Sequence, residues 1–141
     1  MQKLKIHDLS IGDWVQWNGK AYRVCLIDGV SLTVELAEEL GGTIEVAIDE
    51  LSGIPITPEI LEKNGFSFKD FAFGETTMLG RHIRLISVSP RNESWCIHVS
   101  IRKAGGHDFW DMVFGVDFIG QFVHELQHAI RLAGIEKEIE L

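Results

Sequence analysis

Apolar and polar residues alternate in short runs along the first third of the chain, and tight-turn dipeptides separate most of the runs. Residues 9–17 (Leu-Ser-Ile-Gly-Asp-Trp-Val-Gln-Trp) stop at Asn18-Gly19, and residues 20–27 resume the alternation. Both residues of Asn-Gly tolerate positive φ, which a type I′ hairpin turn demands. Asp28-Gly29 repeats the device before residues 30–35. Gly41-Gly42 then precedes 43–48, where Ile44, Val46 and Ile48 alternate with Glu45 and Ala47. Residues 35–40 suit a helical turn as well as a strand end. Four short strands with tight turns predict an SH3-like small barrel or meander over 1–55. Trp14 and Trp17, three positions apart on one strand, face opposite sides, so at least one belongs to a core and the other is a candidate stacking platform.

The period changes at residue 54. Thr57 suits a helix N-cap, Pro58 the first helical position and Gly65 the left-handed stop, with Ile56 and Leu61 placed as a hydrophobic staple. Four Phe between 66 and 73 predict two short β pieces. A hairpin follows, 82–88 with 95–102, joined by Ser89-Pro-Arg-Asn-Glu-Ser94. Trp95, Ile97, Val99 and Ile101 alternate with Cys96, His98, Ser100 and Arg102. Setting Ile83 opposite Val99 and Leu85 opposite Ile97 buries one face and places Arg84 opposite His98, with Arg102 nearby. Ala104-Gly105-Gly106 marks a turn, and 109–114 reads as a strand apolar on both faces. Residues 118–133 predict a helix with Ile119, Phe122, Val123, Leu126, Ile130 and Ala133 as its apolar stripe and Gly134 as its stop. Glu136, Glu138 and Glu140 lie in a frayed or edge-strand tail. The fold class is therefore α+β, mostly β: an SH3-like module at 1–55, then at 56–141 an antiparallel sheet packed against a C-terminal helix, the two sharing one core.

Composition narrows the function. The 141 residues carry 13 Lys+Arg and 21 Asp+Glu, a net charge of -8. That balance opposes phosphate backbones and anionic lipid, and within 1–55 four positive residues meet nine negative ones. An RNA- or DNA-binding barrel would show the reverse. No signal-peptide core and no membrane span is expected, and two cysteines, Cys25 and Cys96, read as reduced thiols. The cytoplasm is the expected compartment. One stretch runs against the charge: between Arg81 and His107 lie five Arg/Lys and only one acid, Glu93. Arg84, His98 and Arg102 are the candidate anion- or partner-binding residues there, although a solvated sheet face accounts for the same charges.

The last helix contains His124-Glu125-Leu126-Gln127-His128. Histidines four apart on a helix can both ligate zinc while the glutamate activates a metal-bound water. The metal candidates are thus His124 and His128, the catalytic candidate is Glu125, and both imidazoles are expected to face water. The extended form of the motif fails, since Arg131 and Gly134 stand where it has Gly and His. Thirteen residues follow His128, too few for a distant downstream ligand; Glu136, His98 or His107 would have to serve as the third.

Leu9-Ser-Ile-Gly-Asp-Trp-Val15, Ile27-Asp28-Gly29, the joint from Gly53 to Phe66 and the helix from Phe122 to Gly134 together resemble a family of small uncharacterised proteins from anaerobic gut bacteria and their phages. The resemblance spans nearly the whole chain through moderately specific, structural motifs. In that family the helix reads His-x-Leu-Gln-Asn, which makes Glu125 and His128 local variations and leaves the second zinc ligand out of the pattern. The resemblance implies a fold and no established activity. The leading expectation is a non-enzymatic accessory protein of phage or mobile-element type that binds another protein and needs no cofactor. A zinc-dependent hydrolase on residues 124–128 is the alternative, and nucleic-acid or anion binding through Arg84, Arg102 and Lys103 is a third.

Overall fold

Asn18 and Gly19 take φ of 49° and 77°, the left-handed pair that a two-residue hairpin turn needs, and the first sheet grows outward from this turn. In the computed structural model residues 3–67, 71–76, 82–104 and 110–141 are described, with the backbone alone for 74–76, 82–83, 103–104, 110–114 and 118. The chain divides into two compact units, Met1–Pro55 with Phe122–His124, and Ile56–Gln121 with Glu125–Leu141. Both are built mainly of antiparallel strands, so the α+β, mostly β class is the one observed.

In the first unit β1 (Trp14–Trp17), β2 (Lys20–Asp28), β3 (Thr33–Ala37) and β4 (Thr43–Ala47) form a meander in that order. After β4 a single 3₁₀ turn, Ile48–Glu50, returns the chain to β1. There Gln16 and Ser52 exchange backbone hydrogen bonds of 2.8 and 2.9 Å, which ties the segment after β4 to the outer edge of β1. Leu4, Leu9, Val15, Val24, Val34, Leu36, Val46 and Leu51 are its buried core. Trp17 packs against that core, while Trp14 stays half-buried on the other side of β1. Residues 35–40 resolve as a strand end.

Two local features depart from simple alternation. The pairing of β2 with β3 skips Cys25, because Val24 faces Leu36 and Leu26 faces Glu35. This bulge exchanges the faces that follow it, so Leu26 is exposed although Val24, two positions before it, is buried. The β2–β3 connection occupies four residues rather than the Asp28-Gly29 pair, and the positive φ falls at Leu32. Asp28 explains the longer turn: its carboxylate accepts from the backbone N–H of Val30 and Ser31 and from the Ser31 hydroxyl.

The second unit opens with α1 (Pro58–Lys63), N-capped by Thr57 Oγ1, which accepts from Ile60 N at 3.3 Å. Ile56 and Leu61 are both buried, as a staple requires. The sheet order is β5 (Ala72–Thr76), β6 (His82–Arg91), β7 (Ser94–Ala104) and β8 (Trp110–Gly120), and α2 (Val123–Leu132) follows. Ile86, Val88, Ile97 and Val99 form the buried sheet face, and Leu126, Ala129, Ile130 and Ala133 the buried stripe of α2. Gly134 ends the helix with φ +73°.

The β6–β7 register corrects the sequence expectation. Arg91 faces Ser94 across a two-residue turn whose Asn92 has φ 54°, so the expected six-residue loop is part of the ladder. Val99 faces Ile86 and Ile97 faces Val88, three positions away from Ile83 and Leu85. Residues 83–88 carry apolar side chains on both faces, so hydrophobicity alone does not select the register, and the turn decides it. An odd shift turns every β6 side chain over. A second correction concerns β8, which extends to Gly120 and claims residues expected in the helix. The ladder with β7 persists to Trp95↔Gly120, and a Cβ at Gly120 would stand 2.8 Å from Ile97 Cδ1, so glycine lets strand and neighbour close together. Ile119, expected in the helix stripe, is accordingly 52% exposed on the strand. Phe68, Arg81, the Gly105-Gly106 turn, His107 and Phe109 lie outside the described residues.

Candidate functional site

A two-residue turn at Asn18-Gly19 sets Trp17 against Lys20 and therefore Trp14 against Arg23. On the outer side of β1 and β2 the Arg23 guanidinium lies 4.7 Å from the Trp14 ring centroid, a cation–π distance. Beside this pair is a cavity of about 180 Å³ lined by Trp14, Lys20, Tyr22, Arg23, Glu38 and Glu39. Pockets for drug-sized ligands run to roughly 300–1,000 Å³, so this one admits a single side chain. Glu38 and Glu39 are exposed on the turn after β3, and they place two carboxylates at the mouth of an aromatic-walled recess. Lys20 Nζ stands 5.7 Å from the Tyr22 centroid.

The helix motif is arranged differently from a zinc centre. A catalytic zinc site needs both imidazoles turned to one open position, with a third protein ligand. His124 is only 3% exposed, and its ring stacks on Phe122 at 5.7 Å and 14°. The expectation that both rings face water therefore fails for His124: the buried arc of α2 runs from Val123 through His124 and Gln127, wider than the apolar residues alone indicate. His128 is half-buried. Glu125 Oε1 accepts the Gln121 backbone N–H at 3.0 Å, which ties the carboxylate to the start of the helix in the manner of a capping box. Of the third-ligand candidates, His98 is bonded to Asp117 and Glu136 is exposed. Among the described residues no three His, Cys, Asp or Glu side chains gather as a metal-holding group. The residues fit packing and capping.

The expected basic face is divided. Arg84 pairs with Ile101, not with His98, so it shares the face of Ile86 and Val88. Its Nη1 donates to Gly134 O at 2.8 Å, satisfying a carbonyl just beyond the C-terminal end of α2, where positive charge is favourable. His98 pairs with Ser87 and Asp117, and its Nδ1 meets Asp117 Oδ1 at 2.5 Å. Arg102 shares this second face. The backbone of Lys103 pairs with His82 and Asp111.

No protein-family model, no curated protein and no solved structure matches the chain. The candidate site thus rests on geometry. Sequence reasoning reached Trp14 and missed Lys20, Arg23, Glu38 and Glu39. The signal was present in part, since the Asn18-Gly19 turn fixes the Trp14–Arg23 pairing by counting outward; the approach of Glu38 and Glu39 depends on where β3 ends.

Proposed function

We propose that the chain is a protein-interaction module rather than an enzyme, and that its first unit binds an extended, basic segment of another protein. The carrying observation is the recess beside Trp14 with Glu38 and Glu39 at its mouth. Its volume suits one Lys or Arg stem laid along the indole, with the cationic head against the two carboxylates. Four positive against nine negative residues in 1–55 favour the same sign of partner. Two free thiols, Cys25 and Cys96, support work in a reducing cytoplasm. An accessory role of phage or mobile-element type is the corresponding proposal for its setting, and it rests on the resemblance of the quoted segments.

Selection of a random peptide display library against the full chain tests the proposal. Enriched peptides carry Lys or Arg, bind more weakly as salt rises, and lose about tenfold or more in affinity with Trp14→Ala or with Glu38→Lys plus Glu39→Lys. Enrichment of acidic or uncharged peptides, or affinity indifferent to these substitutions, overturns it.

A further inference from the structure

Cys25 is the extra residue that β2 carries against β3, and its thiol donates to Glu35 O at 3.2 Å. Without the bulge Leu26 would follow Val24 into the core. With it, Ile27 takes the inward place opposite Val34, and Leu26 stands on the outer face, 45% exposed. The register continues that row across the sheet: Leu26 faces Glu35, and Glu35 faces Glu45. Like charges directly opposite each other destabilise a sheet. Among the described residues neither carboxylate is ion-paired with a Lys or Arg. A bulge thus presents an apolar surface beside two uncompensated carboxylates, and bulges commonly re-aim side chains in this way next to binding sites.

The row lies on the same face as the recess. Trp14 faces Arg23, and Arg23 faces Ala37. Glu35 and Ala37 are successive outward residues of β3, about 7 Å apart, and Ala37 lines the recess. Both places share one construction. Each sets an apolar surface suited to a methylene stem next to two carboxylates suited to its cationic head. In the recess these are Trp14 with Glu38 and Glu39; in the row they are Leu26 with Glu35 and Glu45.

We infer that Leu26, Glu35 and Glu45 form a second cation subsite for the same partner, so that the segment recognised by the first unit is an extended strand with two Lys or Arg residues on one side, two or four positions apart. The inference rests on the reading of the recess given above. Measured from Glu35, the recess runs from Ala37 to Glu39, about 7–13 Å along the strand direction. Side chains of an extended chain share a side only at even separations, and two or four residues span that distance. Cations at odd separations point to opposite sides and engage one subsite only. The segment lies along the face and adds no backbone rung to β4.

NMR titration of the full chain with short peptides tests the inference, with affinity read from the Trp14 indole N–H and the Leu26 and Glu45 amides. The peptides are Ser and Thr throughout except for one Lys, or two Lys at separations of one, two, three or four. Even-spaced peptides bind about three- to tenfold more tightly than the single-Lys and odd-spaced ones. Glu35→Gln with Glu45→Gln removes that advantage and leaves the single-Lys affinity at the Trp14 indole unchanged. Glu45→Gln alone, at an exposed position, removes part of it, which separates the effect from any failure to fold. Equal affinity at odd and even separations, or an advantage that survives the double substitution, overturns the inference while the recess stands. A single-Lys peptide indifferent to Trp14→Ala overturns the reading of the recess as well.

Discussion

The Asn64 carboxamide grips the backbone of Glu140 from both sides: Nδ2 donates to Glu140 O at 2.7 Å, and Glu140 N donates to Oδ1 at 2.7 Å. Asn64 is also the C-cap of α1, and Nδ2 donates to Ile60 O at 2.8 Å. One nearly buried side chain thereby fastens the residues after α2 to the short first helix, beside the buried Ile139. Lys63 Nζ adds a bond to Leu141 O. Asn64→Ala removes the clamp and leaves a backbone N–H and a carbonyl unpaired, a loss of about 2 kcal/mol. Urea denaturation measures the loss, and amide exchange at 135–141 accelerates more than that of β6 and β7.

Gly53 is required by a close approach. A Cβ there would meet three ring carbons of Phe122, the farthest at 2.7 Å. Gly53→Ala therefore destabilises the chain by about 1–3 kcal/mol through overpacking. In the double variant with Phe122→Ala the two losses fall short of their sum, because removing the ring removes the clash. Thermal unfolding of the four-member cycle reads this coupling.

Glu125 separates capping from catalysis. As a cap it needs only an oxygen that accepts from Gln121 N, so Glu125→Gln changes stability by a few tenths of a kcal/mol and Glu125→Ala by about 1 kcal/mol. Hydrolysis dependent on zinc and abolished by Glu125→Gln would contradict this reading. The paired measurements are urea midpoints and hydrolysis of generic ester and peptide substrates with added zinc.

Asp28 supplies an acid-sensitive contribution. Hydrogen bonds from Ser31 N, Val30 N and the Ser31 hydroxyl hold its pKa below the usual 3.8, because all three favour the charged carboxylate. A depressed folded-state pKa contributes stability that is fully present above 3.8 and is lost as pH falls through the lower folded value. The stability difference between the wild type and Asp28→Asn is therefore constant from neutral pH to about 5 and shrinks below pH 4. Denaturation at a series of pH values follows the difference.

Arg84 acts on the helix terminus. Arg84→Ala removes the bond to Gly134 O and costs about 0.5–1.5 kcal/mol. High salt reduces the cost only in part, because the hydrogen bond is lost along with the charge. Urea denaturation at low and high sodium chloride checks both statements.

Local chemistry made much of the fold legible. Asn18-Gly19, the Thr57-Pro58 cap and Gly134 each stand where their backbone requirements predict, and Trp95, Ile97, Val99 and Ile101 declare one sheet face by alternation. What escaped depends on competition between equally apolar choices. Residues 83–88 offer two hydrophobic faces, and the Asn92 turn chose the one that separates Arg84 from His98. Phe118, Ile119 and Gly120 fit a helix stripe or a strand end, and the ladder with β7 won. The helical wheel turns His124 away from the apolar stripe, yet the ring is buried and stacked on Phe122. The recess beside Trp14 joins residues from two turns, a meeting that no local pattern records.

Ser52 has a consequence for how this chain survives at high concentration. By occupying the outer rung of β1 at Gln16, it leaves β4 as the bare rim of the first sheet among the described residues. A bare rim invites stray strands to add on. Here it is only five residues long and carries an exposed Glu45 at its midpoint, so an incoming strand must desolvate a carboxylate for a handful of rungs. The first unit thus discourages fibril-like stacking along β4.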